Sequence, residues 1–383
     1  MRSMTNGIAR ALAAWLLAVA TTAAGGAAAG NIDTIARQAI LLDMTTQTVL
    51  FEKNADERMP PSSMSKIMTM YMVFDALREG RVKLEDALPV SQRAWKMGGS
   101  KMYVELNNSI KIDDLIKGVI VQSGNDACIV LAEGLAGSEE EFARRATAKA
   151  KEIGLTGTNL VNATGWPDPQ HYMTARDLSR LAQRLVIDFP EYYHYYSIRE
   201  FTYHKIKQGN RNPLLYRNIG ADGLKTGHTD AAGYGLTASA ERDGRRLVLV
   251  VNGLPNMQAR ADESARLIEW GFREFQNYAL FKKGDVVDEA KVWLGQAPTV
   301  PVTVAADVKV TMTPAERDGM KVTLVTPSAV PAPIKPGDPV GKLVISGPGF
   351  SAKEIPVVAA AAVERKGVFG RAIAAISHYA LGM

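Results

Sequence analysis

Residues 234–251, YGLTASAERDGRRLVLVV, carry the reading that decides the fold. Tyr234 to Glu241 and Arg246 to Val251 are predicted strands, joined by an Arg242-Asp243-Gly244 turn. Nearly two hundred residues upstream, Ala39 to Asp43 and Thr48 to Lys53 read as two more strands around a turn, closed by the Pro60-Pro61-Ser62 break. The middle of the chain is helical. From Ser63 to Arg78 the apolar residues Ile67, Met70, Tyr71, Phe74 and Leu77 recur at spacings of three and four, with Gly80 as the stop. Further helices are expected at Ile112 to Val121, Asp126 to Leu135, Glu139 to Ile153, Ala175 to Leu185 and Glu263 to Phe275. Strands at both ends of a helical middle predict an α+β domain: a mainly antiparallel sheet, completed by the late strands and flanked by helices.

Beyond Leu280 the pattern changes to short valine-rich runs, Val300 to Val304, Val308 to Met312 and Lys321 to Val325, broken by Pro and Gly. This predicts a small all-β domain, after which Gly367 to Met383 returns to helix. At the other end, Arg2 and Arg10 precede the apolar run Ala11 to Ala24, and Ala27-Ala28-Ala29 offers small residues for cleavage. Such a run is too short to span a bilayer and stop there, and it reads as a secretory signal peptide. The expected organisation is therefore a signal peptide over 1–29, a catalytic domain over 30–278, a small β-sandwich-like domain over 279–362 and a terminal amphipathic helix over 363–383.

Composition narrows the function. With 383 residues, 22% charged and 46% hydrophobic, the chain is not a disordered polymer, a fibrous repeat or a polytopic membrane protein. One cysteine cannot form an internal disulfide, and histidines at 171, 194, 204, 228 and 378 lack zinc-ligand spacing, so no metal is expected. The net charge of +5 falls to about +3 once Arg2 and Arg10 are removed, too little to argue for nucleic acid. Export also places the mature chain where ATP and nicotinamide cofactors are scarce. No glycine-rich phosphate motif speaks against that, and no cofactor is expected.

Three short constellations could carry chemistry. In Ser63-Met64-Ser65-Lys66, a spacing of three on a helix puts Ser63 and Lys66 on one face, so the amine can reach the hydroxyl. A lysine whose pKa is lowered by burial near other cations can serve as the base that serine needs, and the helix N-terminus adds free N–H groups. Alone, the motif also reads as an N-cap serine and a solvated lysine, since about one chance match is expected per 400 residues. Ser123-Gly124-Asn125, between two helices, can present a hydroxyl and an amide to a cleft or be an ordinary turn. Lys225-Thr226-Gly227-His228, at the front of the late strands, offers an ammonium, a hydroxyl and close backbone approach, or is simply a strand and turn. Cys128 reads as a small buried hydrophobe and His171 as a loop-fixing hydrogen-bonding group. Packing is the expected role of Tyr192, Tyr193, Tyr195, Tyr196 and Tyr203.

Taken in order, Ser-x-x-Lys, Ser-x-Asn about 60 residues on and Lys-Thr-Gly about 100 further form the motif set of penicillin-binding proteins and class A β-lactamases. The chain resembles that superfamily, and more closely the low-molecular-mass D-alanyl-D-alanine carboxypeptidases of peptidase family S11. The likeness runs from about Gln38 to Met383. It includes Ser123 to Cys128, Asn162 to Asp177, Lys225 to Thr229, Arg260 after Asn252-Gly253, and Trp270-Gly271-Phe272. Gly124 departs from the Ser-Asp-Asn of class A β-lactamases and suits the carboxypeptidases.

The resemblance implies a serine β-lactamase/DD-peptidase-like fold and an enzyme that removes the terminal D-alanine of peptidoglycan stem pentapeptides through a Ser63 acyl-enzyme, trapped by β-lactams. It casts Lys66 as base, Ser123 as proton relay and Asn125 as the residue that orients the substrate amide and the Lys66 amine. Backbone N–H groups of Ser63 and His228 would form the oxyanion hole, with Lys225, Thr226, Gly227 and Arg260 around the substrate carboxylate. Lys66 is the default deacylation base. A DD-endopeptidase, a β-lactamase and a non-catalytic wall-binding protein remain as alternatives. Within Gly367 to Met383, Val368, Phe369, Ala372, Ile373, Ile376, Tyr379 and Ala380 share one helical face. The helix is expected to hold the protein peripherally on the outer face of the cytoplasmic membrane, the chain being periplasmic.

Overall fold

The computed structural model describes residues 32–370. The expected signal peptide, and the expected terminal helix beyond Gly370, lie outside the described residues. The chain begins with β1 (Gln38–Asp43) and β2 (Thr48–Lys53), whose turn is closed by Asp43 Oδ1 accepting the N–H groups of Thr45 and Thr46 at 2.8 and 3.2 Å. After Pro60-Pro61 a 3-10 turn, Ser62–Ser65, opens α1 (Lys66–Arg78). The ribbon of β3 (Ala87–Pro89) and β4 (Ser109–Lys111) brackets α2 (Gln92–Lys96). There follow α3 (Ile112–Ile120), α4 (Asn125–Ala136), α5 (Glu139–Glu152), α6 (Ala175–Asp188) and α7 (Pro190–Tyr193). A small hairpin, β5 (Glu200–Tyr203) and β6 (Ile206–Gly209), precedes β7 (Ala221–Thr229), β8 (Gly233–Arg242), β9 (Arg245–Leu254) and α8 (Met257–Glu274).

The sheet runs β2-β1-β9-β8-β7 and is antiparallel throughout, as expected, so the first and last strands of the domain meet in its middle. Alternation in β9 explains the two layers around it. Leu247, Leu249 and Val251 face Leu267, Ile268 and Trp270 of α8, while Val248 and Val250 join Ile40, Leu224 and the helical core around Met64, Ile67 and Met68. Each such side chain contributes about 1.5–3 kcal/mol on burial, and a one-residue slip would turn every one to the wrong face. The helix α1 differs from its expected amphipathic character. Eleven of its 13 residues are buried, because α4, α5, α6 and β7 enclose it on all sides. The tyrosines expected to pack do so: Tyr193, Tyr195 and Tyr196 are buried, and Tyr192 stacks on Phe74 with ring centroids 5.2 Å apart.

The second body consists of β10 (Gln276–Phe281), β11 (Val286–Trp293), β12 (Thr299–Val304), β13 (Val308–Met312), α9 (Pro314–Asp318), β14 (Lys321–Val325), β15 (Val330–Pro331), β16 (Pro339–Gly347) and β17 (Phe350–Ala359). β10 pairs with β13, and the other strands form a sheet ordered β14-β16-β17-β12-β11-β15 around Val300, Val302, Val304, Val310, Leu343 and Val357. Its strand β10 spans the expected boundary between 278 and 279 and pairs within this body. The bodies meet through a hydroxyl contact of Thr46 with Thr311 and through Lys353 Nζ, which donates to Thr46 O at 3.4 Å. A cavity of about 910 Å³ beside this contact is lined by Phe51, Arg176, Phe275, Thr311 and Lys353, and none of the three motifs borders it. Among the described residues no helix is long and apolar enough to cross a membrane.

Candidate active site

Ser63 lies in the 3-10 turn rather than at an α-helical N-terminus, and Ser62 before it takes φ +50°. Two close approaches hold that turn. A Cβ on Gly165 would stand 2.0 Å from Ser62 O, and one on Gly227 2.8 Å from Pro61 O, so only glycine fits on either side. Ser62 Oγ bonds Thr229 Oγ1 at 3.2 Å, tying the turn to the end of β7. The half-buried Ser63 hydroxyl is left facing Lys66.

Lys66 Nζ is fully buried and lies 2.8 Å from Ser63 Oγ, 2.7 Å from Asn125 Oδ1 and 2.5 Å from Thr164 O. The last two atoms can only accept. Asn125 is held in that orientation by donating Nδ2–H to Gly98 O at 2.9 Å, so two Lys66 N–H bonds are committed to Asn125 and Thr164. The third direction points at Ser63, where an ammonium presents N–H and a neutral amine presents its lone pair. Burial, and then the nearby charge of Arg211, pull the Lys66 pKa down to about 8. About one molecule in ten therefore carries the neutral amine at pH 7. If Lys66 is the base, acylation should rise about tenfold from pH 7 to pH 9 and level off above 8. A stopped-flow pH profile of penicillin acylation checks this, and a flat profile would remove Lys66 from that role.

Thr164 was not legible as a site residue. Its carbonyl is fixed from behind: Glu139 Oε1 accepts Ala163 N–H at 3.0 Å, Thr69 Oγ1 donates to Ala163 O at 2.7 Å, and Arg93 holds the other Glu139 oxygen at 2.6 Å. Ser123 is buried at φ +58°, and its hydroxyl has no hydrogen-bond partner among the described residues. The turn around it is organised by Asp126, whose carboxylate accepts the N–H groups of Met102, Tyr103, Val104 and Ala127 at 2.8 to 3.1 Å.

Across the cleft, β7 presents Lys225, Thr226, Gly227 and His228 along the edge of the sheet. Lys225 is buried with a single 3.3 Å bond, to Thr226 O, and burial together with the charges of Lys66 and Arg211 pushes its pKa well down. Arg260, in the first turn of α8, is likewise buried, and burial lowers its pKa to about 10. Arg211 is a further cation that sequence reasoning missed. It sits after β6, donates to Ser100 Oγ at 2.5 Å, and depresses Lys66, Lys225 and Arg260 alike. No ion pair neutralises Lys66, Lys225, Arg211 or Arg260 among the described residues, so the cleft is built to receive an anion.

Two discounted residues behave as read. Cys128 is buried and its thiol pushed up to about 12, the opposite of an activated nucleophile. His171 is buried, its pKa lowered to about 4, and Nδ1 accepts Val161 N–H at 3.3 Å, fixing the loop. The proton of the neutral ring is thus on Nε2, which leaves no free lone pair for a general base.

The sequence profile described as D-alanyl-D-alanine carboxypeptidase, peptidase S11, matches residues 24–256, and that of the penicillin-binding protein 5 C-terminal domain matches residues 275–365. The chain belongs to the S11 D-alanyl-D-alanine carboxypeptidase family. Within that family it is 39% identical to the D-alanyl-D-alanine carboxypeptidase DacC of Escherichia coli over 344 residues, covering 88% of this chain and 86% of the relative. The crystal structure of penicillin-binding protein 5 from Haemophilus influenzae superposes with a TM-score of 0.79 at 33% identity, over 88% of this chain and all of that one. Penicillin-binding protein D2 of Listeria monocytogenes, solved in its ampicillin-bound form, matches 64% of this chain and all of its own with a TM-score of 0.59 at 29% identity. The S11 match spans the sheet and the helical core, and the second match spans the β domain.

Proposed function

We propose that this enzyme, a serine-type D-Ala-D-Ala carboxypeptidase, uses Ser63 as nucleophile and Lys66 as base on the stem pentapeptide of peptidoglycan. The observation that carries this reading is the Lys66 amine, with two N–H bonds committed elsewhere and its third direction 2.8 Å from Ser63 Oγ. Ser63 Oγ bonds to the carbonyl carbon of the penultimate D-alanine and its proton passes to Lys66. The oxyanion is met by the N–H groups of Ser63 and His228. The C–N bond then breaks, and the leaving amine of D-alanine takes a proton delivered from Lys66 through the unpartnered Ser123 hydroxyl, beside Lys225. Water attacks the ester, Lys66 takes its proton, and Ser63 leaves protonated.

The substrate's terminal carboxylate enters the cation cluster, with Arg260 and Thr226 as its principal contacts and Arg211 adding charge. Among the described residues the two carboxylates whose charge acts on Lys66, Asp126 and Glu139, are both committed elsewhere. Asp126 is taken by four N–H groups, and Glu139 by Ala163 and Arg93. A β-lactam ester should therefore persist, which favours a penicillin-inhibited peptidase over a β-lactamase.

The experiment is D-alanine release from a pentapeptide set against cleavage of its C-terminal amide. Arg260→Ala should lower kcat/KM for the acid about 10- to 100-fold, the worth of a charge-assisted bidentate contact, with the amide changed little. An equal loss for both substrates would take Arg260 out of the pocket.

We place the mature chain, residues 30–383, in the periplasm after removal of 1–29, with a catalytic domain to about 275, a β domain to about 366 and a terminal helix that binds the outer face of the cytoplasmic membrane. Val368 and Phe369, 70% and 88% exposed, support this anchor, since both gain by leaving water. Deleting 364–383 should move the protein from membranes to the soluble fraction with cleavage in solution unchanged; retention on membranes would count against the anchor.

A further inference from the structure

Arg260 presents an uncommon arrangement: a residue only 7% exposed, whose guanidinium nitrogens have no hydrogen-bond acceptor and no carboxylate among the described residues, Nε being fully buried without a partner. What it does face is an aromatic ring. The Arg260 Cζ lies 5.7 Å from the centroid of Tyr234, within the range where the negative face of the ring attracts a cation. The same ring lies against His228 with centroids 3.9 Å apart and planes inclined by 31°. Register explains why one residue meets both. Tyr234 pairs directly across from His228 in the β7–β8 ladder and with Leu254 in the β8–β9 ladder, just before Asn256 caps α8 and brings Arg260 over the strand ends.

We propose that Tyr234 is a positioning residue that holds Arg260 toward the substrate carboxylate. A carboxylate partner would orient Arg260 more strongly, but it would also neutralise it and compete with the substrate anion. A π face attracts the guanidinium while leaving its five N–H donors free. The phenolic hydroxyl has no hydrogen-bond partner among the described residues, so the ring rather than the hydroxyl carries the role. This role rests on the reading of Arg260 as the carboxylate-binding residue.

The test measures kcat and KM for the pentapeptide and its C-terminal amide with Tyr234→Leu, Tyr234→Phe, Arg260→Ala and the Tyr234→Leu/Arg260→Ala double variant, each first shown to take one penicillin per chain. Tyr234→Leu should raise KM for the acid about tenfold with kcat and the amide within about twofold. Tyr234→Phe should match the native enzyme, and in the Arg260→Ala background Tyr234→Leu should add nothing. If Tyr234→Leu lowers acid and amide equally, or if Tyr234→Phe loses the preference for the acid, the ring does not position Arg260. Should Arg260→Ala itself leave that preference intact, the carboxylate pocket falls, and this role with it. A Tyr234→Leu variant that keeps the preference while Arg260→Ala loses it overturns the positioning role alone.

Discussion

Replacing Lys66 with alanine should slow acylation of Ser63 by about 10³- to 10⁴-fold, the full worth of a positioned general base, while the melting temperature moves by only a few degrees. Both halves follow from the same geometry. The amine is the one group within hydrogen-bond reach of the Ser63 hydroxyl among the described residues, so its loss leaves only water to take the proton. Its removal also strands Asn125 Oδ1 and Thr164 O, each a cost of about 1–3 kcal/mol. Against this, an ammonium buried without a paired carboxylate is expensive to keep, and deleting it relieves that penalty as well as its repulsion of Lys225. Rapid-mixing measurements of penicillin acylation, with thermal unfolding of the same sample, check both. A variant that unfolds would show Lys66 to be structural, and one that still acylates at near-native rate would show that the base is elsewhere.

Much of this is legible in the sequence, for reasons that differ by element. The strands Gly233–Arg242 and Arg245–Leu254 announce themselves because alternating burial against α8 on one face and the helical core on the other demands β-branched and apolar residues around a polar turn. The three motifs were legible because their spacing is contiguous in sequence. What the sequence did not reveal depends on tertiary contact. Thr164 serves through a backbone carbonyl, which carries no side-chain signature. Arg211 looks like any surface arginine until the loop after β6 brings it against Ser100. Gly165 was one glycine among 33, and only the 2.0 Å approach to Ser62 O sets it apart.

Element boundaries moved where local preference yielded to a cap or a turn. The helix predicted from Glu263 begins six residues earlier at Met257, since Asn256 Oδ1 accepts Ala259 N–H at 2.8 Å and caps it there. The hairpin of β5 and β6 carries no turn signature, because its turn uses His204 and Lys205 at φ +45° and +67°, positions where Asn or Gly usually marks such a turn. The helix at Ser63 opens as a 3-10 turn, because Ser62 is pinned between Gly165 and Thr229 and cannot adopt the extended conformation of an ordinary N-cap.

The second large effect is at the nucleophile. With penicillin the lactam carbonyl should form an ester to Ser63 Oγ, the ring C–N bond should open, and the nitrogen should take the proton, so the whole inhibitor mass is added once per chain. Ser63→Ala removes only one oxygen from a half-buried position, so the fold should stand while acylation and D-alanine release fall below detection. Intact-mass measurement of the native chain and of Ser63→Ala after incubation with penicillin, followed by peptide mapping, tests this directly. One adduct on the native chain, mapped to Ser63 and absent from the variant, is the expected result; stoichiometric labelling of Ser63→Ala, or an adduct mapped to another residue, would contradict it.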